Sequence, residues 1–400
     1  MKDWCAMTTD TASSTPPAPA PPGFPACAQV DLGAISANVA ALRGHAPTAE
    51  LMAVVKADAY GHGLVPSARA ALRGGATWLG VAQLPEALEL RRAGVTAPLL
   101  SWLHVPGQDF VPALEQDVQL GISTTWALDQ AVEAARATGT TARIHLKVDT
   151  GLGRNGAWDA DLAAILERTA ALGSEGVLDV VGIFSHFAYA DAPQHPTVRA
   201  QQERFEGIVE QAARSGIRPS VRHLANSAAT LTNPSAHYDL VRPGVAVYGL
   251  SPVPDLGSPR DFGLREAMRL LSHLSSVKES PAGQGVSYGH VYTTTERTRL
   301  GLVPMGYSDG VPRHASSVGP VQVGGRRYAV AGRVCMDQFV LDLGADSHAV
   351  AGDEVVLFGV GEAGEPTAQD WAVAVDTINY EIVTRVGARV PRVHLGEVEA

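Results

Sequence analysis

The chain has 400 residues, of which 46% are hydrophobic and 18% charged, so it can bury a large core. Its length suggests two domains. Its formal net charge of −10, without a basic stripe, argues against nucleic acid and anionic membrane surfaces as partners. No apolar run approaches the roughly 18 residues that span a bilayer. The three cysteines, Cys5, Cys27 and Cys335, indicate neither a disulfide framework nor a metal site. A cytoplasmic location is therefore expected.

The first segment, residues 1–27, is rich in proline, alanine, serine and threonine. It has no basic stretch followed by an apolar core, so it does not have the pattern of a secretory signal. Its composition predicts a disordered tail.

From residue 28 onward, short apolar runs alternate with amphipathic helical segments. One such segment, residues 127–135, is followed by Gly139 as a helix C-cap, and another covers residues 198–213. Eight strands that alternate with helices predict a (β/α)8 barrel over residues 28–258. An open doubly wound sheet is the alternative, although no Gly-x-Gly-x-x-Gly follows the first strand. The eight apolar runs are 51–55, 78–82, 98–102, 118–122, 143–148, 178–185, 220–224 and 240–242.

The pattern changes after a Pro/Gly-rich connection at residues 251–263. Strand-like runs separated by Gly, Pro and Asp turns then predict a second, mainly β domain over residues 259–400, with a helical segment at 371–386. The strand-like runs are 270–277, 299–305, 328–334, 339–343 and 354–358.

Polar side chains stand at the carboxyl ends of several predicted barrel strands, which is where barrel enzymes build their active sites. A lysine at the end of an apolar run, such as Lys56, can lose its charge by desolvation and attack an aldehyde. Each residue taken alone also has an ordinary explanation: a solvated or ion-paired lysine, a core histidine, a helix N-cap or an ion-paired arginine. These strand-end residues are Lys56, Lys147, His186, Asn226, Ser227 and Arg242.

The segment VKADAYGHG, residues 55–63, resembles the lysine motif of alanine racemases, enzymes that use pyridoxal 5′-phosphate (PLP). Further segments resemble that family in the same order, and together they cover roughly residues 28–395. They are HLKVDTGLGR (145–154), GIFSHF (182–187), RPGV (242–245), GVSYG (285–289), GYSDG (306–310), VCMD (334–337) and INYE (378–381).

The resemblance implies two catalytic bases on opposite faces of the substrate, because inverting a stereocentre moves a proton from one face to the other. Lys56 would hold PLP as a Schiff base and serve D-alanine, and Tyr288 would serve L-alanine. In the family this tyrosine comes from the other subunit, so the resemblance implies a homodimer with shared active sites.

The resemblance also implies which residues contact the cofactor and the substrate. Arg242 would face the pyridine nitrogen of PLP and keep it unprotonated. Arg154 would bind the substrate carboxylate, oriented by a carbamate on Lys147. The remaining expected cofactor contacts are Tyr60, His186, Asn226, Ser227, Gly244, Val245 and Tyr380, and the residues expected to crowd the small substrate pocket are Tyr307 and Met336.

The expected function is therefore PLP-dependent interconversion of L- and D-alanine, which supplies D-alanine for peptidoglycan. Three alternatives are a racemase that prefers serine or a broader set of amino acids, a PLP-dependent decarboxylase of the same fold, and a PLP-binding protein without catalysis. Relatives of the last kind are single barrels, so the C-terminal region counts against that alternative.

Overall fold

The computed structural model describes residues 23–396. Most of the predicted tail, residues 1–22, lies outside the described residues, but Ala26 and Cys27 are buried in the first strand. The strands are β1 (Ala26–Asp31), β2 (Glu50–Val54), β3 (Trp78–Val81), β4 (Leu99–Ser101), β5 (Gln119–Ile122), β6 (Ala142–Lys147), β7 (Leu178–Phe184), β8 (Val221–His223), β9 (Leu240–Val241), β10 (Met268–His273), β11 (Ser276–Ser280), β12 (Gly285–Val286), β13 (Tyr292–Thr293), β14 (Thr298–Val303), β15 (Pro320–Val323), β16 (Arg326–Ala329), β17 (Phe339–Asp342), β18 (Glu354–Phe358) and β19 (Arg392–Leu395).

The right-handed helices lie between the barrel strands and near the C-terminus. They are α1 (Leu32–His45), α2 (Leu64–Arg73), α3 (Leu84–Arg92), α4 (Val111–Glu115), α5 (Thr125–Thr138), α6 (Asp159–Ser174), α7 (Pro196–Arg214), α8 (Ser227–Thr232), α9 (Ala368–Ala374) and α10 (Asn379–Thr384). No helix in the described part of the chain combines the length and the apolar character that a bilayer crossing requires.

Strands β2 to β9 form an eight-stranded parallel barrel in which β9 returns to pair with β2. The gap between β8 and β9 is bridged where the N–H of Asp239 donates to Arg222 O over 3.1 Å and that of Arg242 to Ala225 O over 2.9 Å. The predicted (β/α)8 barrel is thus confirmed, and an open doubly wound sheet is excluded. Each of the eight predicted apolar runs overlaps one barrel strand.

Helix boundaries follow local signals in the sequence. The Thr124 side chain accepts from the N–H of Ala127 at the start of α5, and Gly139 ends this helix with a φ of +66°. Glycine suits that left-handed position because it has no Cβ. The predicted C-cap at Gly139 is therefore confirmed, and α7 confirms the helix predicted at 198–213.

The C-terminal region forms the predicted mainly β domain, with sheets of six, three and two strands. The six-stranded sheet also takes in the first strand of the chain. Strand β1 pairs antiparallel with β10, with Ala26 opposite Ser272, and parallel with β19. The predicted barrel domain begins at residue 28, whereas β1 joins the C-terminal sheet. An apolar strand buried on both faces does not reveal from sequence which sheet it joins.

The barrel interior holds apolar side chains at the amino ends of several strands and polar side chains toward the carboxyl ends, with Gln119, at the amino end of β5, as a polar exception. A cluster of buried apolar side chains includes Val221 and Leu240. Because strand side chains alternate between faces, His223 and Arg242, two residues further along, point to the same interior side. The polar groups at the carboxyl end are therefore surrounded by a closed sheet.

Candidate active site

The chain leaves strand β2 at Lys56 in a left-handed turn. Residues 57–60 have φ values of 53–54° and ψ values of 38–53°, and none of them is glycine. For L-residues this conformation costs roughly 1–2 kcal/mol each. The turn must therefore be held by its surroundings, and it fixes the backbone that carries Lys56.

Three of the hydrogen bonds that hold this turn involve the side chains of Glu86, Asp58 and Arg392. The N–H of Ala57 donates to Glu86 Oε1 over 2.6 Å. The N–H of Leu64 donates to Asp58 Oδ1 over 2.7 Å. From β19, the Arg392 guanidinium donates to the carbonyl oxygen of Gly61 over 2.9 Å. The turn therefore depends on both the barrel and the C-terminal domain.

Lys56 lines a cavity of about 380 Å³ at the carboxyl ends of the barrel strands. This cavity contains most of the residues predicted for the site, and its wall is completed by Val54, Ala57, Trp102, Phe184 and Thr384, which the sequence did not indicate. The predicted site residues that line it are Lys56, Tyr60, Lys147, Arg154, His186, Asn226, Ser227, Arg242, Gly244, Val245 and Tyr380.

Two of the chain's four lysines line this cavity. Burial, and then the nearby charge of Arg154, lower the pKa of the Lys56 amine. The same two causes, in the same order, lower the pKa of Lys147 to about 8. The carboxylate of Asp149, a conceivable partner for Lys147, instead accepts the backbone N–H of Gly151 over 2.8 Å. Both amines therefore reach the neutral, nucleophilic form more readily than a solvated lysine.

Arg242 is buried and lines the cavity. Its Nη2 donates to the carbonyl oxygen of Ser185 over 2.7 Å and lies 3.4 Å from His186 Nδ1. Its Nη1 lies 3.2 Å from Nδ1 of His223. Burial lowers the pKa of Arg242 to about 9, which still leaves it charged at neutral pH. The same burial, followed by the charge of Arg242, keeps the pKa of His186 well below its usual value, so His186 is neutral.

Another part of the cavity lining is a cradle of backbone and hydroxyl groups. The Ser227 hydroxyl accepts the N–H of Gly244 over 2.8 Å, while Asn226, not Ser227, caps helix α8 through the N–H of Ala229. A Cβ on Gly244 would lie 2.3 Å from the Tyr60 hydroxyl oxygen. Glycine is therefore required here for the close approach of the Tyr60 hydroxyl to the backbone.

Tyr288, Tyr307 and Met336 do not line this cavity. Tyr288 is 70% exposed and Met336 is 53% exposed. Their segments meet on one face of the C-terminal domain, because the N–H of Tyr307 donates to Cys335 O over 3.0 Å and the Ser287 hydroxyl donates to Arg333 O over 2.7 Å. Within the described chain, the site therefore contains one of the two predicted bases.

Comparison with known proteins gives the same family for both domains. The family model for the alanine racemase N-terminal domain matches residues 30–252, and that for the C-terminal domain matches residues 267–394. The chain is 61% identical to an alanine racemase of Frankia casuarinae, over 92% of this chain and 95% of that protein. It is 58% identical to one of Beutenbergia cavernae, over 94% of this chain and all of the other.

A crystal structure of alanine racemase from Streptomyces lavendulae superposes with a TM-score of 0.92 at 55% identity, covering 94% of this chain and 98% of that one. The chain belongs to the alanine racemase family. It is an isomerase, and the alanine racemase fold expected from its motifs is confirmed.

Two residues that shape this racemase site were missed in the sequence. Glu86 accepts a hydrogen bond from the turn after Lys56. From the sequence alone, Glu86 is only an acidic residue in the first turn of a helix. His223 contacts Arg242, and its one signal was its position near the end of a predicted strand, at 220–224. Both act through backbone or side-chain contacts that only the folded chain creates.

Proposed function

We propose that the chain racemises alanine with PLP held through Lys56 and with two bases, Lys56 and Tyr288 of a second copy of the chain. The observation that carries the proposal is the meeting of Lys56, whose pKa is lowered, with ten other predicted site residues around one cavity. When bound, PLP supplies an electron-withdrawing group that makes the α-proton of an amino acid easier to remove.

The residues present fit PLP. The cavity of about 380 Å³ lies within the range of small-ligand sites. The Tyr60 hydroxyl, which lies close against the Gly244 backbone, and the Ser227 hydroxyl suit a phosphate, with Val245 and Tyr380 nearby. Charged Arg242, which also lines the cavity, would face the pyridine nitrogen and disfavour its protonation.

A second copy of the chain would complete the site. Tyr288, Tyr307 and Met336 are exposed on one face of the C-terminal domain, and exposed apolar groups that cluster often mark an interface. In a two-fold dimer, the same surfaces meet twice, so each barrel would receive a tyrosine from its partner. Lys56 would then hold or release the proton on one face of the α-carbon and Tyr288 on the other.

Arg154, which lines the cavity, would bind the substrate carboxylate. A neutral Lys147 amine can add to carbon dioxide, forming an N–C bond and releasing a proton, and the resulting carbamate is an anion. An anion at this position would hold the Arg154 guanidinium through charge-assisted hydrogen bonds. The lowered pKa of Lys147 supports this step, because only the neutral amine reacts.

The carbamate can be detected with carbon-13 labelled bicarbonate. We expect a carbamate signal in the carbon-13 NMR spectrum that grows as the pH rises through about 8, where the Lys147 amine becomes neutral. The signal should disappear in Lys147→Ala and persist in Lys278→Ala, because Lys278 is exposed on β11. An unmodified Lys147 amine in the unmutated protein would refute the carbamate.

Gly244→Ala tests the phosphate cradle. The added methyl group would collide with the Tyr60 hydroxyl, so we expect PLP to bind the PLP-free protein roughly tenfold more weakly, the scale of one lost hydrogen bond. Gly173→Ala is the control, because a Cβ there meets only Leu178 O at 3.9 Å. Absorbance titration measures the affinity of both variants for PLP. An unchanged PLP affinity of Gly244→Ala would show that the backbone at Gly244 does not contribute to phosphate binding.

The overall reaction is tested by incubating the purified protein with PLP and L-alanine and measuring D-alanine by chiral chromatography. Parallel incubation with L-serine separates an alanine racemase from one of broader specificity, and carbon dioxide release would indicate a decarboxylase. Absence of D-alanine would refute the proposal. We further propose that this activity supplies D-alanine for peptidoglycan from the cytoplasm, which predicts that the gene supports growth of bacteria lacking their own D-alanine source.

A further inference from the structure

A chain of buried polar side chains runs from Arg242 across the barrel interior. Arg242 Nη1 lies 3.2 Å from His223 Nδ1, and His223 Nε2 lies 2.8 Å from His145 Nδ1. His145 Nε2 lies 2.7 Å from Gln119 Oε1. Gln119, His145 and His223 are fully buried, so water cannot replace any of these partners.

The barrel is built to hold these two imidazoles. A Cβ on Gly182 would lie 2.2 Å from His145 Nδ1, the atom that faces His223. The Phe184 ring stacks on His223 with centroids 4.8 Å apart and planes 7° apart. The Trp78 ring meets His145 edge-on at 5.6 Å. A glycine and two aromatic rings thus fix the position of both histidines.

The chain of contacts has a single consistent assignment of protons. Arginine only donates, so His223 Nδ1 must accept, and the proton of a neutral His223 then lies on Nε2. That proton is donated to His145 Nδ1, so the His145 proton lies on Nε2 and is donated to Gln119 Oε1. If Gln119 presented its amide nitrogen to His145 instead, the donor and acceptor would exchange roles in each of these hydrogen bonds. The Nδ1–H of His223 would then point at an N–H of Arg242, and two donors would face each other.

Both histidines are neutral because they are buried and, in addition, lie near cationic side chains. Burial, followed by the charges of Arg143 and Arg242, lowers the pKa of His145 to about 3. Burial and the charge of Arg242 keep the pKa of His223 well below its usual value. The assignment with one proton on each ring therefore applies throughout the neutral range.

We propose that His145 and Gln119, neither of which reaches the cavity, are positioning residues that hold Arg242 through His223. Gln119 Oε1 accepts the Nε2–H of His145, which leaves His145 Nδ1 free of a proton to accept from His223. The proton of His223 therefore stays on Nε2, and His223 Nδ1 accepts from Arg242. The effect on catalysis rests on the proposed function, in which Arg242 faces the pyridine nitrogen of PLP. An Arg242 that loses this support would control the protonation of that nitrogen less well.

Nitrogen-15 NMR of the full-length protein labelled at histidine tests the proton assignment directly. We expect His145 and His223 to be neutral with the proton on Nε2, and Gln119→Leu to shift both Nε2–H signals. The signals are assigned by their loss in His145→Phe and His223→Phe. A proton on Nδ1 of either ring, or two protons on one ring, would overturn the proposal.

A second readout is the ratio of transamination to racemisation. In transamination the amino group of alanine passes to PLP, giving pyruvate and pyridoxamine phosphate, and a protonated pyridine nitrogen favours it. We expect Gln119→Leu and His145→Phe to raise this ratio about tenfold, the scale of one misplaced buried hydrogen bond. His237→Phe removes another buried histidine, which contacts Thr230 O over 2.9 Å, and should leave the ratio unchanged.

An unchanged ratio in Gln119→Leu would overturn the proposal even if His145→Phe failed to fold. Failure of the proposed function has a different signature, because the unmutated protein would then neither bind PLP nor form D-alanine. The proton assignment would still be decided by NMR in that case, since it does not require the cofactor.

Discussion

Lys56→Ala is expected to abolish racemisation in both directions, lowering kcat by at least about 10⁴-fold, because one residue supplies both the PLP linkage and one catalytic base. The Lys56 amine lies just after the carboxyl end of β2, where burial and the charge of Arg154 lower its pKa. The amine is therefore more readily neutral and nucleophilic than that of a solvated lysine. D-alanine formed from L-alanine, and the reverse, can each be measured by chiral chromatography at saturating PLP.

Two controls show whether the loss is chemical. Lys56→Arg keeps the positive charge but not the nucleophilic amine, so it should be as inactive as Lys56→Ala. Lys278→Ala removes an exposed lysine and should keep full activity. Borohydride should attach PLP covalently to the unmutated protein and not to either Lys56 variant. A Lys56→Ala protein with more than a trace of racemisation would contradict the assignment.

Tyr288→Phe is expected to separate the two proton transfers. Racemisation should fall roughly 10²–10⁴-fold, the usual contribution of a positioned acid–base group. Exchange of the α-hydrogen of L-alanine with deuterated water should fall with it, whereas exchange of D-alanine should continue, because Lys56 is intact. Proton NMR of each enantiomer, incubated separately for short times, measures the two exchange rates.

The matched control is Tyr328→Phe, which removes a hydroxyl from β16 in the same domain. It should alter neither exchange rate. If Tyr288→Phe exchanged the L-alanine α-hydrogen at the unmutated rate, Tyr288 would not be the base for that enantiomer, and the two-base proposal would fail.

Much of the barrel could be predicted because buried parallel strands are continuous apolar runs between amphipathic helices. All eight runs overlap strands of the barrel, and the residues at their carboxyl ends meet in one cavity. The geometry of a parallel barrel brings these ends together, so residues as distant in sequence as Lys56 and Arg242 could be assigned to one site before their contacts were known.

Other features depend on contacts that local sequence does not encode. Residues 57–60 adopt the left-handed conformation without glycine, against their own preference, because Glu86 and Arg392 hold the turn. Strand β1 joins the C-terminal sheet through pairing with β10, more than 230 residues away in sequence. In the sequence, His145 is a single polar residue in an apolar run. Its proposed role in positioning Arg242 depends on its contact with His223, which only the fold creates.

Subunit mixing shows directly whether Lys56 and Tyr288 of different chains act together. Lys56→Ala and Tyr288→Phe proteins, each nearly inactive, are co-expressed with different tags, and the mixed dimer is purified. One of its sites carries both substitutions and the other carries neither, so we expect about half the activity of the unmutated dimer. A mixed dimer as inactive as its two parents would contradict a site shared between chains.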